Sequence, residues 1–231
     1  MEKDRSSKVI AIIALVIAVI GLSIGFASFS RTLEIGSSAE VNPINTFRVV
    51  FSSSGDEVLE NAVTPTLTPD PETEENVILS ATNATISNGT TPTISNLAAT
   101  FSEPGQKVEY TFYVHPSEFD AYLRAVTFNS VAGDTVFKKC VAKDPQDTTA
   151  STVTNACESI SLKVDLTDSN DNTTTFTATN DTISGHKLAK DSFKPVKVTI
   201  EYAAGGAKAD GDFTVQFGSV SLLYKTVDKT N

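Results

Sequence analysis

Apolar and polar side chains trade places residue by residue along "KVEYTFYV". Val108, Tyr110, Phe112 and Val114 take one parity, and Lys107, Glu109, Thr111 and Tyr113 the other. Ile160, Leu162, Val164 and Leu166 alternate in the same way with Ser161, Lys163, Asp165 and Thr167, as do Val196, Val198, Ile200 and Tyr202 with Lys197, Thr199 and Glu201. Successive side chains of a strand point to opposite faces, so each run has one apolar and one wet face; a helix of period 3.6 would scatter the same residues around its axis. Such strands belong to antiparallel sheets that bury their apolar faces against each other. Shorter runs repeat the pattern at Phe47, Val49 and Phe51 and at Leu33, Ile35, Ala39 and Val41, the latter against Glu34, Ser38 and Glu40.

One run contains a fault. In "DFTVQFGSVSLLYKTV" the apolar positions are Phe213, Val215 and Phe217, then Val220, Leu222 and Tyr224, so the parity flips across Gly218-Ser219. A slip of one residue would turn half the strand inside out, which predicts a β-bulge or a corner at that point. Long strands that bend from one sheet to another suit an all-β, two-sheet antiparallel, jelly-roll-like sandwich. The stretch from Ser52 to Asn96, with "TPTLTPDPETEEN" at its centre, reads as long loops around one or two short strands, "NVILSAT" the clearest.

The N-terminus carries a different signal. From Val9 to Phe29 there are 21 residues without a charge, preceded by Lys3, Arg5 and Lys8. A helix of that length spans one bilayer core, and the basic flank keeps the N-terminus in the cytoplasm, so everything after Arg31 is expected to be exported. Gly25-Phe26-Ala27 before Ser28 is a small-x-small peptidase site, which predicts cleavage between Ala27 and Ser28; an uncut membrane anchor is the alternative. The expected organisation is therefore a signal peptide or anchor over 1–27, an N-terminal strand over 28–43 and a β-sandwich over 44–231.

The whole chain has 18 basic and 28 acidic residues; trimming after Ala27 removes three and two of them, leaving 15 and 26 and a net charge of −11. An acidic exported chain is a poor partner for nucleic acid. Cys140 and Cys157 are its two cysteines, and an even count beyond an export signal predicts one disulfide.

Catalytic patterns are scarce. Ser184 to Lys187 fits S-x-x-K without the companion S-D-N and K-T-G elements, and reads as a polar loop. Asp168, Asn170 and Asn172 occupy the first positions of an EF-hand-like loop, but Thr173 and Thr179 stand where glycine and glutamate belong, so a hairpin turn is expected. The histidines, His115 and His186, are two, too few for a His-type zinc site, and no cofactor, metal or small-molecule substrate is expected. Asn83, Asn88, Asn172 and Asn180 begin N-x-T sequons.

The leader ending "IGLSIGFASFS", followed by "TLEIGSSAEVNP", resembles the exported TasA and camelysin-like proteins of Gram-positive bacteria and their relatives. "EPGQKVEYTFYVHPSEFDAYLRAVTF" is similar to the strand, turn and strand of such surface sandwiches, and "GDFTVQFGSVSLLY" to their closing strand. Arg31 departs from the family, where an acidic residue follows the aromatic. The resemblance implies an exported jelly-roll subunit, inserted in the membrane until it is trimmed and then assembled head to tail with copies of itself into a cell-surface fibre, pilus or biofilm matrix. The N-terminal strand of one subunit completes the sheet of the next, with Leu33, Ile35, Ala39 and Val41 as its anchors. The metalloprotease label that camelysin-like proteins have carried finds no ligand set in this sequence. A second reading is a membrane-anchored adhesin or ligand-binding sandwich displayed by an uncut leader, with Tyr113 as a candidate sugar platform; a secreted hydrolase is a third.

Overall fold

The computed structural model of the chain describes residues 47–52, 62–69, 78–89, 91–146, 148–178, 183 and 185–226. The apolar leader, the cleavage pair Ala27 and Ser28, and the strand anchors Leu33, Ile35, Ala39 and Val41 lie outside the described residues, as do Ser184 and Asn180. The compact unit to which the described residues belong runs from Thr46 to Asn231.

About half of the described residues lie in strands, all paired antiparallel. One sheet holds, numbered in chain order, β1 (Arg48–Ser52), β3 (Thr66–Thr68), β8 (Lys107–Ser117), β11 (Ile160–Thr167), β12 (Thr173–Phe176) and β14 (Lys194–Tyr202). Its order is β1-β8-β14-β11-β12, with β1 against Tyr113–Ser117 and β3 against Lys107–Glu109 of the same β8 edge. A second sheet contains β4 (Ser80–Ala81), β7 (Ala98–Phe101), β10 (Lys138–Ala142) and β15 (Phe213–Phe217) in the order β10-β15-β7-β4. A third contains β2 (Ala62–Val63), β5 (Ala84–Ser87), β6 (Thr93–Ser95), β9 (Ala121–Phe128), β13 (Lys187–Leu188) and β16 (Val220–Lys225) in the order β13-β9-β16-β6-β5-β2.

The alternating runs fold as their pattern demands. Val108, Tyr110, Phe112 and Val114 of β8, and Val196, Val198, Ile200 and Tyr202 of β14, are fully buried, and the even-numbered residues of β11 nearly so. The apolar faces of the three sheets share one core. Tyr202 of β14 meets Phe101 of β7 and Phe213 of β15, with ring centroids 5.9 and 5.6 Å apart, which brings the first sheet onto the second. The third joins through Asn88 Oδ1, which accepts from the Phe51 N–H at 2.8 Å, and through a bridge between Val49 and Gly89. In β1 the alternation fails: Val49, Val50, Phe51 and Ser52 are all buried, so both of its faces are covered.

The expectation of two sheets needs correction, because hydrogen bonding divides the strands into three, and the reason lies at Gly218-Ser219. Gln216 pairs with Ala98 at the end of the second sheet, and Val220 pairs with Ile94 at the start of the third. Both strands advance by four residues between these pairs, from 216 to 220 and from 98 to 94, so no residue is inserted. The fault is a corner and not a bulge; the register shift of β16 comes later, at Leu223/Tyr224, and the extra residue there, Arg124, belongs to β9. Both strands of the ribbon exchange buried faces at the same level. Phe213, Val215 and Phe217 give way to Val220, Leu222 and Tyr224, while Phe101, Ala99 and Leu97 give way to Ile94. Asn96, with φ of 58°, takes up the turn on one strand, and left-handed backbone of this kind suits asparagine.

Three further features depart from the sequence reading. The described residues between 53 and 96 hold five strands and not one or two, each of two to four residues. The segment similar to a strand, turn and strand does form β8 and β9, but in different sheets, so the turn carries the chain across the core. A helix, α1 (Ala150–Glu158), was not foreseen. Nine residues with four β-branched or hydroxyl side chains at Ser151, Thr152, Val153 and Thr154 make a poor helix in isolation. Distant groups satisfy its ends. Asp210 accepts from the Thr149 N–H at 3.0 Å and from Thr152 Oγ1 at 2.6 Å, bonds that hold its carboxyl down at about 2. At the other end Lys138 Nζ donates to the carbonyls of Cys157 at 2.6 Å and Ile160 at 2.7 Å.

The expected disulfide joins this helix to a sheet edge. Cys140 on β10 and Cys157 on α1 are bonded, with Cα atoms 6.0 Å apart and a sequence separation of 17. Closing a loop of that length is worth about 3 kcal/mol in the chain-entropy account. The Cys140→Ser, Cys157→Ser double variant is therefore expected to melt about 10 °C lower than the wild type, at the 2–4 °C per kcal/mol typical of this size. An unchanged melting midpoint would mean that α1 is held by Lys138, Asp210 and its buried Val153 and Ala156 alone.

Candidate functional site

The corner of the β6–β7 and β15–β16 ribbon creates a concavity on the described surface. Where the ladder opens between Gln216 and Val220, the loop after β9 lies over the gap, and a groove of about 500 Å³ forms. Asn96, Ala98, Ser130, Val131, Gln216 and Ser219 are among the residues that line it, and no lining residue is charged or titratable. Amides, hydroxyls and small apolar groups of this kind suit a neutral ligand held by hydrogen bonds and close packing. The groove's serine hydroxyls have no titratable side chain beside them in the lining.

Asparagine and glycine hold the groove's shape. Asn129 Nδ2 donates to Ser219 O, Ser219 Oγ and Ser221 Oγ at 3.2, 3.0 and 3.0 Å, and its backbone N–H donates to Ser219 O at 2.8 Å. Gly218 donates to Phe137 O at 2.8 Å, and the Phe137 ring packs against Phe128 and Phe217 at 5.2 and 5.4 Å.

Sheet edges are the second candidate surface. No described strand pairs with the outer side of β12, β10, β4, β13 or β2. On β10, to which α1 is fastened through Cys140, Val141 is exposed, and Val136 is exposed shortly before the strand. Unpaired N–H and C=O groups beside apolar side chains are a template for an added strand.

The other residues singled out from sequence fall elsewhere. Asp168 serves as the anchor of a turn: its Oδ1 accepts from the N–H groups of Asn170 at 2.8 Å and Asn172 at 2.9 Å, and its Oδ2 from Asn172 Nδ2 at 3.3 Å. With Asp171 at φ of 63° this closes the β11–β12 hairpin, as the hairpin reading requires. Those bonds hold the Asp168 carboxyl below its ordinary range against the opposing effect of burial. Among the described residues no cluster of three or more His, Cys, Asp or Glu side chains is placed to hold a metal ion. His115 stacks on Phe193 at 4.5 Å, far along the chain from His186, which precedes β13. Tyr113 is half-buried between Ser52 and Pro195 on neighbouring strands, and so does not stand free as a platform. Among the described residues no helix is long and apolar enough to cross a membrane.

Sequence reasoning placed the corner but not the groove, since the groove needs the loop at 129–132 to lie over a gap that only the pairing reveals. No protein-family model, curated protein or solved structure matches the chain.

Proposed function

We propose that this chain is an exported structural subunit of an extracellular fibre, pilus or biofilm matrix, a jelly-roll-like sandwich that polymerises by inserting its N-terminal strand into the next subunit. The observation that carries the reading is the position of Leu33, Ile35, Ala39 and Val41, an amphipathic alternation placed between a cleavable leader and the first strand of the sandwich. A β-sandwich with several unpaired edges supplies the kind of acceptor such a strand requires. A head-to-tail contact of this type does not close on itself and so propagates as a filament. The uncharged groove supports a second reading, a membrane-anchored adhesin or ligand-binding module, because a neutral hydrogen-bonding concavity is what a displayed binding domain needs.

The state of the exported N-terminus separates the two. A fibre subunit is expected to begin at Ser28 and to appear as filaments when the purified protein is examined by negative-stain microscopy. Protein that retains Met1 in the membrane fraction and forms no filaments would favour the anchored module.

A further inference from the structure

His186 is buried, and neither of its ring nitrogens has a hydrogen-bond partner among the described residues. It belongs to a short strap that ties two sheets together. Leu123 of β9 donates to His186 O at 3.1 Å, and Leu188 pairs with Ala121, which fastens the strap to the third sheet. Ser169 donates through its N–H to Lys187 O at 2.8 Å, and Ser169 Oγ accepts from the Ala189 N–H, which fastens it to the β11–β12 hairpin of the first sheet. The ladder is two residues long, so a few bonds carry the joint.

The charges around the ring are unequally placed. His186 and Leu188 point inward, where Asp168 is the charged group that faces the imidazole. Its oxygens are already engaged by the hairpin's own N–H groups. Lys187 points outward, 2.6 Å from Asp120 and 5.7 Å above the ring of Tyr122, and Arg124 follows Tyr122 on the half-exposed side of β9. At the hairpin tip Lys194 pairs with Asp171 at 2.6 Å, and Lys190 lies near Asp191 beyond the strap.

We infer that the segment Gly185–Lys190 is an acid-released latch, in which protonation of His186 frees the β11–β12 hairpin from the edge of β9 while the rest of the sandwich stays folded. A neutral imidazole tolerates this site, but a buried imidazolium needs water or a hydrogen bond to a carboxylate oxygen, and in the closed strap Asp168 turns its oxygens to the hairpin and neither ring nitrogen reaches one. Opening the strap hydrates the ring. Burial lowers the affinity of His186 for a proton below its ordinary value of 6.5, with Asp168 opposing in part. The closed latch therefore holds the neutral ring, and the open one binds a proton at the ordinary value. Closure is at full strength above pH 6.5 and weakens as the pH falls, its opening constant rising by up to about tenfold per pH unit.

Amide hydrogen exchange between pH 7.5 and 5, corrected for intrinsic rates, tests this on the full chain. The Leu123, Ser169 and Ala189 amides are expected to lose protection by up to about tenfold per unit below 6.5, while Val164 and Val198 in the centre of the first sheet keep theirs. His186→Phe should make the strap's protection independent of pH, and His115→Gln should leave the dependence intact. Should His186→Phe fail to fold, an NMR titration of the wild-type His186 ring serves, expected to fall below 6.5 and to co-titrate with the Leu123 and Ser169 amides. Flat protection across the range, loss of all amides together, or abolition by His115→Gln would overturn the latch.

Discussion

A Gly218→Ala variant is expected to unfold about 10 °C below the wild-type protein, a loss of roughly 3 kcal/mol, near the top of the range for overpacking, at the 2–4 °C per kcal/mol typical of this size. A Cβ at this position would lie 1.8 Å from the Asn129 carbonyl oxygen and 2.6 Å from the Ser130 carbonyl carbon. Both neighbours are backbone, so no rotamer change relieves the collision. Asn129 is tied to Ser219 and Ser221 by its amide, and moving it away breaks the bonds that pin the loop to the corner. The groove depends on that loop, so the same variant should also lose whatever the groove binds. Gly205→Ala is the control, because a Cβ there meets nothing within 4 Å. Thermal unfolding followed by circular dichroism decides the matter: equal midpoints for the two variants would show that the 129–130 loop moves aside without cost.

The corner also shows what the sequence conveys and what it withholds. A parity flip at Gly218-Ser219 is visible in one strand because its apolar residues are large and closely spaced. The matching flip in β6 and β7 is hidden, since Ile94 and Leu97 are followed only by Ala99 and Phe101 in a stretch dense in Thr, Ser and Asn. Without the partner strand, bulge and corner predict the same pattern, and only the unshifted pairing of Val220 with Ile94 distinguishes them. The long strands β8, β11 and β14 were legible for a simple reason: each buries at least four residues of one parity. Strands β2 to β6 are too short to show a period and form because neighbouring strands offer them free edges. Helix α1 was illegible for a different reason. Its stabilising partners, Lys138, Cys140 and Asp210, come from outside the helix, and no local propensity announces them. The disulfide was readable from an even cysteine count behind an expected export signal, but its role in holding a helix to β10 was not.

Removing residues 28–41 is expected to abolish fibres and leave a folded, soluble monomer. With the proposed cut after Ala27 the segment "RTLEIGSSAEV" would sit close to the new N-terminus, and its larger apolar side chains cost about 1.5–3 kcal/mol each if left in water. That cost is relieved either within the same chain or in a neighbour, and the two outcomes differ in what the deletion does to folding. If the segment is the first strand of its own sandwich, its loss exposes core surface, and the thermal transition should collapse. If it is donated, the core formed by Val49, Phe51, Phe112 and their neighbours is complete without it, and the transition should survive. An unpaired sheet edge of the sandwich then awaits an extended peptide whose main chain continues the ladder and whose alternate side chains fix the register. A synthetic peptide spanning residues 28–41 should bind the truncated monomer and raise its melting midpoint with concentration, as any ligand specific to the folded state does. The same peptide with Leu33 and Ile35 replaced by aspartate should bind at least tenfold more weakly, since each loses more than the 1.4 kcal/mol that a factor of ten represents. Loss of cooperative unfolding in the truncated chain would place the strand in its own subunit and end the fibre reading in this form.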